Sequence, residues 1–107
     1  MRILAGLIIT SALAATVASA QPGRLSDVAY MQAARCAGLA SSHTLGSADA
    51  ASLRALLESQ SGGRDPFVLN KADDLQSAAK READRADDYA KARLSAELNG
   101  MCATLRS

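Results

Sequence analysis

Past residue 20 this chain has little that is large to bury. Residues 21–107 hold 18 alanines and only 18 larger apolar side chains other than cysteine, with no tryptophan or isoleucine. Their aromatics are Tyr30, Phe67 and Tyr89. A domain of this size buries only about 60–65% of its unfolded surface. Stability must therefore come from small groups packed closely, from cross-links, or from both. The same composition selects helices: Ala, Leu, Arg, Lys, Glu and Gln dominate, and no stretch alternates polar with β-branched residues.

Cys36 and Cys102 are the only cysteines. An even count in an exported chain predicts a disulfide, and closing so long a loop stabilises a fold by about 4 kcal/mol in the chain-entropy view. No Cys-x-x-Cys pattern accompanies them, so a structural bridge is expected over a redox-active pair.

Residues 1–20 carry the signs of export. Arg2 precedes an apolar run from Ile3 to Val17, and Ala18-Ser19-Ala20 supplies small residues for cleavage after Ala20. The residue that follows is Gln21 rather than Cys, so no lipid attachment is expected. The expected product is one exported, periplasmic or secreted domain of residues 21–107, with no stable membrane insertion once the signal is cut. Its charges balance, 11 basic against 11 acidic. A balanced surface gives no steering field for nucleic acid or an anionic membrane, and neither partner is expected.

The pattern predicts an all-α bundle of three helices, the third much longer. Ser26 caps the first helix, with Leu25, Val28, Ala29, Gln32, Cys36, Leu39 and Ala40 on one face, ending near Ser41 or Ser42. Ser47 caps the second, whose apolar face is Ala50, Leu53, Leu56 and Leu57, and Gly62-Gly63 stops it. Residues 62–69 read as a linker, with Phe67, Val68 and Leu69 tucked against the bundle. Asn70 caps the third helix, whose seam runs through Ala72, Leu75, Ala79, Ala83, Ala86, Ala90, Leu94, Leu98, Met101 and Leu105. Asp87 and Lys91 fall at the spacing of a helical ion pair.

These expectations conflict. A straight helix from Asn70 to Cys102 is about 48 Å long, whereas each of the first two is about 22–24 Å. A Cys36–Cys102 bridge therefore requires the third helix to bend or break, its charged half to project, or the linker to be stretched. A projecting alanine seam would suit a second copy of the chain or a partner helix.

Catalytic chemistry is sparse. The single histidine, His43, lies seven residues from Cys36, about 10 Å along a continuous helix, too far for a nucleophile and its base. Asp84, Asp87 and Asp88 share a helix side but follow no EF-hand spacing, and they lie among Arg81, Arg85 and Lys91. Gly62-Gly63-Arg64 lacks the rest of a phosphate loop. The leading expectation is a non-enzymatic protein without cofactor or metal. It would bind a protein partner, or itself as a homodimer through the third helix, using Phe67, Val68, Leu69, Ala83, Ala86 and Ala90. The alternative is a redox or metal module built on Cys36, His43 and the Asp84/Asp87/Asp88 cluster. Intact mass of protein from the exported fraction checks the processing. A chain starting at Gln21 and two hydrogens lighter than its reduced form is expected.

Overall fold

The computed structural model describes residues 23–45 and 50–106. The expected signal segment 1–20 and the expected Ser47 cap lie outside these described residues. The described secondary structure is helical: α1 (Asp27–Ala40), α2 (Ala50–Gln60), α3 (Pro66–Asp84), α4 (Asp88–Asn99) and the six-residue α5 (Met101–Arg106).

The first two helices match the expectation in type and place. Ser26 caps α1, its hydroxyl accepting the Ala29 N–H at 3.1 Å. Ser41 follows as its C-cap. The predicted face of α1 needs correction, because Val28 is 61% exposed and Gln32 is also exposed. The buried side is Tyr30, Ala33, Ala34, Cys36, Ala37, Leu39 and Ala40, with Gly38. From residue 33 to 40 only Arg35 escapes full burial. A helix buried all round lies at the centre of its bundle.

The predicted single long third helix is corrected most. It is three pieces, and it begins earlier. Asp65, not Asn70, is the N-cap: its carboxylate accepts the Phe67 N–H at 2.8 Å, and Pro66 takes the first helical position. That position suits proline, which has no N–H to leave unpaired and a φ already helical. Phe67, Val68 and Leu69 are therefore the first turn of α3, not a linker. The helix stops at Asp84. Asp87 then takes extended backbone and caps α4, accepting the Ala90 N–H at 2.8 Å. Its carboxylate serves that cap in place of the expected pairing with Lys91. A last interruption at Gly100 separates α4 from α5.

The Arg85–Asp87 turn resolves the length conflict. Arg93 of α4 reaches Glu82 of α3 at 3.3 Å, Glu97 meets Arg35 of α1, and Cys102 of α5 is bonded to Cys36. The chain thus turns back over α1 instead of projecting. Both cysteines are fully buried.

α1 and α3 run parallel. Arg64, just before α3, bonds Asp27 at the start of α1, and Ser42, just after α1, hydrogen-bonds Asp84 at the end of α3. α2 runs the other way beside them, its last residue Gln60 accepting the Leu25 N–H. Their contact is built from alanine: Ala72, Ala79 and Ala83 of α3 are buried. Gly38 marks the closest approach. A Cβ there would lie 2.1 Å from the Gln76 carbonyl oxygen and 2.9 Å from the Ala79 Cβ.

This contact gives a prediction whose sign is decisive. Helix propensity alone makes Gly38→Ala stabilising by about 1 kcal/mol. The overlap with Gln76 backbone makes it destabilising by about 1–3 kcal/mol, the usual cost of overpacking. Urea denaturation of the disulfide-intact protein should show a lower midpoint for G38A, and a higher one would refute the close approach.

Candidate functional site

Two helices that share a third without covering it leave a groove. α2 and α3 both pack on α1, and between them lies an open cleft of about 160 Å³. Tyr30 and Ala34 of α1 line it, with Leu57 and Glu58 of α2, Ser61 of the following turn, and Leu69, Ala72, Asp73 and Gln76 of α3. Its walls mix apolar side chains with the polar groups of Tyr30, Glu58, Ser61, Asp73 and Gln76.

The end of the cleft is held by Arg64. Its side chain is only 2% exposed, although the residue is cationic. Burying a guanidinium is costly unless its donors are met. Here Nε donates to the Gln60 carbonyl, Nη1 to Asp27 and Nη2 to the Leu25 carbonyl, each at 2.7 Å. Its central carbon lies 4.3 Å from the centre of the Tyr30 ring, a cation–π contact. One side chain thus pins the end of α2, the start of α3 and the start of α1 around a buried tyrosine. The turn that presents it uses Gly63 with φ +74°, a conformation open to glycine. Arg24 donates to the Gly62 carbonyl from outside.

A second charge cluster joins α1, α3 and α4. Arg35 makes a fork to Glu97, Nε at 2.7 Å and Nη2 at 3.0 Å, and reaches Glu82 at 3.0 Å. The hydrogen bond to Glu97 is the main cause of the Arg35 pKa being raised, so this guanidinium stays charged at any working pH. Glu82 is held below the usual carboxylate range, chiefly by its hydrogen bond from Arg35. Asp84 is lowered too, mainly by Lys80 at 2.8 Å and then by Ser42.

The residues read from the sequence as candidates form no single site, although His43 lies near enough to Asp84 to add to the lowering of its pKa. Cys36 is locked to Cys102 inside the core, while His43 is exposed in the turn after α1. Asp84 bonds Lys80, Asp87 caps α4, and Asp88 occupies its first turn. Among the described residues no group of three His, Cys, Asp or Glu is placed to hold a metal ion. Of the expected docking surface, Ala83 is fully buried and Val68 is 8% exposed, because α3 turns that side to α1. Leu69, Ala86 and Ala90 are half-buried, and Phe67 is 73% exposed.

Sequence reasoning missed Arg64, Glu58 and Asp73 as site-forming residues, and it gave no sign that Tyr30 would be only 6% exposed. Nothing local in the sequence singles out Arg64, since its partners lie 37 to 39 residues away or at the end of the preceding helix. No protein-family model, no curated protein and no solved structure matches the chain.

The acid cluster fixes the sign of a pH effect. A carboxylate whose folded pKa is lowered adds stability above its unfolded value, 4.5 for Glu82, and that stability is lost as pH falls through the lower folded value. Thermal midpoints should therefore drop on acidification below the ordinary carboxylate range. Glu82→Gln should flatten part of that drop in a circular-dichroism series, and an unchanged acid slope would refute the role given to Glu82.

Proposed function

We propose that the protein is an exported, non-enzymatic helical protein that acts by binding a protein partner through the end of the bundle carrying Phe67. The observation that carries this reading is the placement of the aromatics. A chain with so few large apolar groups leaves Phe67 73% exposed and Tyr89 80% exposed. Val28, in the first turn of α1, stands 61% exposed at the same end as Phe67, in the first turn of α3. Aromatic side chains are the commonest anchors of protein interfaces, and placing them outside forgoes core burial that this small domain lacks. The buried disulfide supports the exported setting, because such bonds persist in oxidising compartments.

The test separates binding from folding. Phe67→Ala should leave the unfolding free energy within about 0.5 kcal/mol of wild type, as surface substitutions do. A photo-crosslinking residue at position 67, expressed in the exporting cell, should give one discrete adduct identifiable by mass. The same residue at exposed Ser77 should not. Equal adducts at both positions, or none at 67, would overturn the reading.

A further inference from the structure

The docking of α4 and α5 rests on little besides a covalent bond. Among their described side chains only Leu94, Leu98 and Cys102 are buried. α4 also reaches its neighbours through charge, Glu97 to Arg35 of α1 and Arg93 to Glu82 of α3. Arg93 and Glu82 are 53% and 39% exposed, and pairs so wet hold little. α5 does not close on α2: Leu105 faces Ser52, Ala55, Leu56 and Ser59 across an open gap of about 420 Å³. The two helices have 12 and 6 residues, and helices that short are marginal when undocked.

The rest of the bundle is tied together without them. Arg64 draws on Gln60, Asp27, Leu25 and Tyr30. Gly38 meets Gln76 and Ala79. Leu39 of α1, Leu53 of α2 and Ala79 of α3 are fully buried. None of these groups belongs to α4 or α5. Two covalent links join the parts, the Arg85–Asp87 turn and the Cys36–Cys102 bond.

We propose that the Cys36–Cys102 bond is a one-way closure. In the dithiol chain α1–α3 are folded and α4 and α5 are released; oxidation docks them. The proposal stands apart from the Phe67 reading, because Phe67 belongs to α3 and keeps its place in both forms.

The oxidant class required is a protein disulfide. Cys102, on the released segment, is open to it. The Cys102 thiolate attacks one sulfur of that disulfide, and the Cys36 thiolate then displaces the resulting mixed disulfide. The Cys36–Cys102 bond forms, the oxidant's bond breaks, and two electrons and two protons leave with the oxidant as its dithiol. The reverse step is blocked by packing. Both cysteines are 0% exposed once α4 and α5 are docked. A reducing thiolate must touch a sulfur to exchange with it, so it gains entry only when the segment opens.

The test compares the disulfide-intact protein with the same chain reduced in urea and refolded under tris(2-carboxyethyl)phosphine, both followed by amide hydrogen exchange. In the intact form Ala37, Ala79 and Leu98 should all be protected. In the reduced form Leu98 should exchange within about tenfold of the free-chain rate, while Ala37 and Ala79 stay about a hundredfold slower or more. Trypsin cleavage after Lys91 and Arg93 should speed up by about tenfold or more on reduction. Protection lost at Ala37 and Ala79 together with Leu98 would mean that the chain folds as one unit. Protection kept at Leu98 would mean that docking needs no bond. Either result overturns the proposal. So does a native bond that dithiothreitol reduces as fast without urea as with it.

Discussion

Everything in this fold depends on how near α3 can come to α1. Alanines carry little apolar area, so burying them yields little unless backbone and Cβ atoms of the two helices touch over a long contact. Gly38 makes this possible. With no side chain at that position, the Gln76 carbonyl fits where a Cβ would have stood. Ala79 and Ala83 then sit fully buried. A glycine inside a helix costs about 1 kcal/mol in propensity. Here it is offset by the close contact it permits along two parallel helices.

Close packing on one side leaves the other side of α1 to be covered, and α4 and α5 cover it. Leu94 is fully buried and Leu98 nearly so, but two leucines are a thin hydrophobic anchor for a segment of this length. Two neighbouring residues of α1 add specific ties. Arg35 holds Glu97 of α4 by a fork, and Cys36 holds Cys102 of α5 by a covalent bond. The fork fixes geometry, since its two donors match both carboxylate oxygens. The disulfide limits the unfolded chain, with 66 residues of separation between its ends. Together they hold α4 and α5 where apolar area alone is scarce.

Much of this was legible in the residues. The helical class, the Ser26 cap, the end of α2 before Gly62-Gly63 and the cysteine pairing all follow from local chemistry or simple counting. Even the conflict between helix length and disulfide was visible, with a bend or break as one of its three resolutions. The place of the break was not read, because no glycine or proline marks it. Its signal was Asp87 followed by Asp88, the pattern of a cap and an acidic first turn. The start of α3 carried a sign as well, Asp65-Pro66, which states an N-cap and first helical position. What no local pattern could supply was the buried face of α1. Near its C-terminal end the helix is wrapped on all sides, so helical periodicity carries no directional information there. The cleft was invisible for a related reason: its walls come from three separate elements.

The cleft itself follows from one contrast along α1. Gly38 and Tyr30 are two turns apart, about 12 Å along the helix. At Gly38 nothing separates α1 from α3. At Tyr30 a full aromatic ring occupies the space, capped by the Arg64 guanidinium. Neighbouring helices cannot close over that ring as they close over a glycine. The Arg64 hydrogen bonds also fix the end of α2 and the start of α3 at positions set by Gln60, Leu25 and Asp27. α2 therefore cannot slide across to fill the gap. A buried cation with all its partners met keeps this geometry stiff, because moving any one element would strip a donor inside the protein. The opening beside Tyr30 is thus a consequence of how the bundle is locked.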